Sequence, residues 1–197
     1  MTGRRNPKGI LSRLRRFRRD RRGVAAVEFA LILPVMLTIY IGGVEIGDGF
    51  AINSRVTDVA HSVTDLATQY ISIDSQDMTS ILDASTSIMA PYSTTGMVVT
   101  VSEVTADKNG NGFVTWSNSL NGTARANGSA VTLPAPLIAQ AKAQFTSNGT
   151  YMVVVLGEVS YPYTPSIGYV LTSTITMSDS FYLVPRLSDC ITYNNYC

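Results

Sequence analysis

DRRGVAAVEFALILP, residues 20–34, is the stretch on which the fold turns. A block of arginines stops at Gly23, small apolar residues follow, and a single glutamate, Glu28, interrupts a run that is otherwise almost purely apolar. A carboxylate inside an apolar segment costs free energy, so an ionisable residue there implies a function and a partner. The apolar run continues to VAAVEFALILPVMLTIYIGGVEI, residues 24–46, charged only at Glu28 and at Glu45 near its far end. As a helix those ~23 residues span roughly 34 Å, enough to cross a bilayer core. Pro34 would break a soluble helix, but membrane helices tolerate it better. Gly42, Gly43 and Gly47 thin the helix near its outer end, where neighbours can approach closely.

Charge is divided sharply around this segment. Residues 1–23 carry ten Lys/Arg against one Asp, a net of +9; residues 24–197 carry five against thirteen Asp/Glu, a net of −8, and the whole chain has +1. Clustered arginines can neutralise nucleic-acid phosphates. An apolar run directly after them favours a different role, the positive flank that holds one end of a membrane helix in the cytoplasm. The expected topology is N-terminus in, body out, with no nucleic acid as partner. The arginine-rich head is expected to be disordered or to form a short interfacial helix at Leu11–Phe17.

Beyond the membrane the helical period persists. Ile52, Val56, Val59, Val63, Leu66 and Tyr70 make a narrow apolar seam suited to packing on a sheet or another helix, opposite Asn53, Arg55, Asp58, His61 and Asp65. One helix is therefore expected to run to about residue 72. A second follows Asp74-Ser75, carries Met78, Ile81, Leu82, Ile88 and Met89 inward, and ends at Pro91. Strand patterns then take over: MVVTVSEV (97–104), a turn at DKNGNG (107–112), and FVTWS (113–117). Residues 118–130 read as a loop and 134–146 as a short helix opened by proline. Two long strand patterns, 150–163 and 170–185, flank a turn near Pro165–Gly168. The expected fold is α+β: a long N-terminal transmembrane, pilin-like helix and a small outer domain of about four antiparallel strands with short helices.

Few motifs carry chemistry. Asp107, Asn109, Asn111 and Gly112 match the opening of a calcium loop, but Asn118 stands where a bidentate Glu belongs, and the flanks are strands, so a plain turn is favoured. His61 is the sole histidine, and no metal-ligand spacing, phosphate loop, HExxH or GxSxG is present. The residues give no argument for an enzyme, a metal or a cofactor. Cys190 and Cys197 are a candidate disulfide in an oxidising compartment, or else free thiols on a frayed tail.

A role for Glu28 follows if the chain is cut after Gly23. Val24 would then carry a new α-ammonium group. In a fibre of staggered helices, the Glu28 carboxylate of one subunit could pair with the Val24 amine of its neighbour, because an unpaired charge there is costly. Glycine at the scissile bond lets a protease cleft approach the backbone.

RRGVAAVEFALILPVMLTIYIGGVEIG resembles the class III signal of type IV pilin-like precursors, and more narrowly the N-terminal segment of the TadE-like family of the tight-adherence (Tad) pilus system. The resemblance is specific over about residues 21–49; Pro34 and the Gly42…Glu45…Gly47 group also fit it. It implies cleavage between Gly23 and Val24 by a prepilin peptidase, with Glu28 at mature position five and Phe29 beside it. It also implies other Tad pilins and pseudopilins, the inner membrane and its assembly platform as partners. The related TadF-like proteins share this segment; TadG-like proteins are typically much larger, and major Flp pilins far smaller. The expected organisation is a cleaved basic leader (1–23), a transmembrane or pilin-core segment (24–47), a periplasmic helical region (48–90) and a β-rich periplasmic domain (91–197). The alternative is a simple signal-anchored envelope protein whose outer domain is a binding module.

Overall fold

The structure is a computed structural model and describes residues 22–165, 167–168 and 172–197. The basic head, including the interfacial helix expected at 11–17, lies outside the described residues, as do residues 170 and 171 at the start of the last long strand pattern. Helix α1 (Arg22–Thr68) is 47 residues long, unbroken through Pro34, and about 70 Å from end to end. Its upper half buries the expected seam: Ile52, Val56, Val59 and Val63 are fully enclosed together with Ala60 and Ala67, while Leu66 and Tyr70 are half-buried.

After α1 come β1 (Ser72–Ile73) and α2 (Ser75–Met89), the latter started by a capping box. The Asp74 side chain accepts from the Gln76 and Asp77 N–H groups, and Asp77 accepts from the Asp74 N–H. Met78, Ile81, Leu82 and Met89 turn inward as their spacing requires. The hairpin β2 (Val98–Ala106) and β3 (Gly112–Leu120) turns at Asp107–Asn111, where Gly110 has φ 81°, a conformation open chiefly to glycine. Next are β4 (Ala130–Val131), α3 (Ala135–Asn148), β5 (Met152–Tyr163), β6 (Ile175–Leu183) and β7 (Thr192–Tyr193).

Five strands form one antiparallel sheet in the order β4-β3-β2-β5-β6. The α+β expectation holds. Two details differ from the sequence pattern: part of the 118–130 loop is strand, with β3 reaching Leu120 and β4 added at the edge, and β1 pairs in parallel with β7 in a separate two-stranded sheet. Two-residue strands have no period to read, because long-range pairing alone creates them.

One face of the sheet packs against α1, flanked by α2, through Val99, Val101, Trp116, Val155 and Val159. The other is half covered by α3, over Val104, Val114, Met152, Val154 and Leu156. Gly157 marks the closest approach of α1 to β5. A Cβ there would meet the Thr64 side chain and would lie 3.0 Å from the Ala60 carbonyl oxygen. Only glycine lets the helix sit this close.

The C-terminal segment is fixed, not frayed. Glu103, fully buried on β2, accepts the Ile191 N–H at 2.6 Å, and Trp116 donates its indole N–H to the Ile191 carbonyl at 2.7 Å. Tyr193 stacks obliquely on Trp116 and its hydroxyl accepts from Asn118. Cys190 and Cys197 are joined as a disulfide with Cα atoms 5.7 Å apart.

Candidate functional site

Among the described residues, nothing covers α1 below the domain. Every large apolar side chain from Val24 to Tyr40 is exposed, including Phe29 at 60% and Leu31 at 70%. A soluble protein of this size does not leave such a surface in water. Among the described residues, α1 is the one helix long and apolar enough to cross a membrane, and a globular domain follows it.

Gly23 and Val24 sit at the start of α1, and a Cβ on Gly23 would meet nothing within 4 Å. Glu28 lies one turn further on, exposed, with Phe29 beside it. Among the described residues Glu28 makes no hydrogen bond or ion pair. The structure thus brings Gly23, Val24, Glu28 and Phe29 together on one bare helical end, and any partner for the Glu28 charge must come from outside this chain's folded domain. Glu45, the second charge of the apolar run, is buried where the domain begins, and its backbone carbonyl accepts the Tyr163 hydroxyl at 3.1 Å.

The remaining sequence candidates resolve differently. Asp107 closes its own turn: its carboxylate accepts from the side chain and backbone of Asn111 and from the Asn109 N–H. Those bonds, the Asn111 side chain foremost, hold its pKa below the ordinary carboxylate value. His61 is exposed on α1 and meets the Phe181 ring edge-on, with centroids 4.6 Å apart. Among the described residues, no three His, Cys, Asp or Glu side chains gather as a metal site.

A groove of about 570 Å³ lies on the uncovered part of the opposite sheet face, lined by Thr100, Arg125, Glu158, Ser160, Ser178 and Ser180. Arg125 donates two hydrogen bonds to Glu158, at 2.7 and 2.6 Å. The two charges satisfy each other, and His61, on Phe181, lies on the other face of the sheet from these serines.

Two structural residues escaped the sequence reading, Glu103 and Gly157. Glu103 had a signal: it falls in alternation with Val99 and Val101, which places it on the core face. Gly157 stands inside a long β-branched run, where an isolated glycine marks a close approach.

A family model described as TadE-like protein matches residues 23–64. The TadE-like match starts at the glycine of the junction and ends at Thr64, the residue that abuts Gly157, so it covers the bare half of α1 and most of the packed half. No curated protein matches the chain, and neither does any solved structure.

Proposed function

We propose that this chain is a minor pilin or pseudopilin of the Tad (Flp-type) pilus, acting in pilus assembly and surface adherence. The observation that carries the proposal is the TadE-like segment, whose arginine-glycine junction opens a helix that is bare for its first half. Prepilin peptidase cuts between Gly23 and Val24 and removes the basic leader. Before assembly the protein is held in the inner membrane by α1, N-terminus in the cytoplasm and outer domain in the periplasm. The uncovered apolar surface then exchanges lipid for the helices of other Tad pilins and pseudopilins, delivered through the inner-membrane assembly platform. Glu28 takes the α-ammonium of Val24 on a neighbouring subunit, which sets the stagger between helices, since an unpaired carboxylate in that core is costly. The role is structural, not catalytic.

A second reading draws on the 570 Å³ groove beside Arg125: an anchored envelope protein whose outer domain binds a ligand there. The two separate on Glu28. In the pilin reading, Glu28→Ala is cleaved as the parent is but assembles few pili, measured by the mature mass and by counting fibres. Normal piliation of that mutant would overturn the pairing.

A further inference from the structure

The level at which the domain meets α1 is fixed by three contacts. Gly157 abuts Ala60 and Thr64, Tyr163 binds the Glu45 carbonyl, and a Cβ added at Gly49 would lie 3.6 Å from the Tyr163 ring. From Gly157 to Tyr163 strand β5 descends about 20 Å toward the bare half of the helix. Gly42, Glu45 and Gly49 are consequently buried, at a spacing of three and four that puts them on one face of α1. The stretch free of the domain is then Val24 to Ile41, about 27 Å of helix. A bilayer hydrocarbon core is about 30 Å thick. The free stretch is slightly shorter than the core it is proposed to cross.

The lower rim of the domain is apolar where this shortfall would bring it to the membrane. Ile46, Phe50 and Ile175 are exposed there, Phe50 at 73%. A crevice of about 430 Å³ opens between α1 and the start of β6, lined by Ile46, Phe50, Tyr163, Ile175 and Met177. Asp48, exposed one turn above Val44, sets the depth: its carboxylate belongs among headgroups, so the rim meets the interface and does not enter the hydrocarbon.

We infer that the rim formed by Ile46, Phe50 and Ile175 is a lipid-docking surface, seated on the outer leaflet of the membrane that α1 crosses. The rim and its crevice sit at the level of the headgroups, and the domain is held against the membrane instead of swinging above it. This inference rests on α1 spanning a membrane.

The test uses the full chain in phosphatidylethanolamine–phosphatidylglycerol vesicles, with a nitroxide on single cysteines at Phe50→Cys, Ile175→Cys, Ile32→Cys and Tyr151→Cys. The native cysteines are paired with each other and do not take the label. Collision with lipid-soluble oxygen is compared with collision with a water-soluble nickel chelate. The expected result is an oxygen-to-nickel ratio several-fold higher at 50 and 175 than at 151, and higher still at 32. A ratio at 50 and 175 equal to that at 151, with 32 in lipid, overturns the docking surface and leaves the membrane helix standing. An aqueous ratio at 32 overturns both. Protection from both reagents at 50 and 175 means that protein covers the rim, and overturns the lipid assignment.

Discussion

The two halves of α1 are the same kind of helix in opposite situations. From Ile52 to Ala67 its apolar residues are packed by β5, β6 and α2; from Val24 to Tyr40 they are exposed. The upper half is narrow in its apolar seam and polar behind it, so a single sheet satisfies it. The lower half is apolar all round, which no single neighbouring face can satisfy. A helix of that kind needs lipid, or a ring of other helices. The difference separates the roles: the upper half builds the domain, and the lower half presents an apolar surface that the described residues do not cover.

The contrast can be broken at its base. Gly23→Val should block processing altogether, leaving residues 1–23 attached, because the added side chain obstructs close approach at the scissile bond. A mature mass unchanged in that mutant would refute the junction. Within the domain, Gly157→Val should have the next largest effect, since a branched side chain must displace α1 backbone at Ala60. Thermal unfolding of the purified protein should show loss of the native domain. A Cβ added at Gly43 or Gly47 would meet nothing within 4 Å, so the same change there should leave the domain's unfolding unaltered.

A matched pair sharpens the comparison. Ile52→Ala should destabilise the domain by roughly 2–5 kcal/mol, because Ile52 is enclosed. Leu31→Ala should change that stability by less than about 0.5 kcal/mol, and act instead on membrane retention or assembly. Equal effects would mean that the halves are not separate.

Glu103 supplies a pH signature confined to the packed region. Burial pushes its carboxyl up to about 7, against the lowering effect of the hydrogen bond from the Ile191 N–H. The folded state therefore holds its proton where the unfolded chain has released it. Stability from this group is fully present below about pH 4.5 and falls as pH rises through about 7, by on the order of 3 kcal/mol. Glu103→Gln should flatten that part of the stability profile, measured by denaturant titration from pH 4.5 to 8. A slope that persists in the variant would assign it elsewhere.

What the sequence made legible is whatever repeats locally. The seam of α1 shows in the positions of Ile52, Val56, Val59 and Val63, and the long strands show in their β-branched runs. The candidate site was legible because Glu28 and Gly23 are anomalies against a uniform background. The C-terminal segment was not. Its place depends on Glu103, Trp116 and Ile191, which are 88 and 75 residues apart in the pairs that bond. Strands β1, β4 and β7 are equally silent, being two residues long and defined only by their partners.

The most direct test of the account is the intact mass and N-terminal sequence of the protein recovered from its native membrane. The account predicts a chain that begins at Val24 and lacks the arginine head. A chain that keeps residues 1–23 in cells with an active prepilin peptidase would contradict it, and would leave Glu28 in need of a partner other than the Val24 amine.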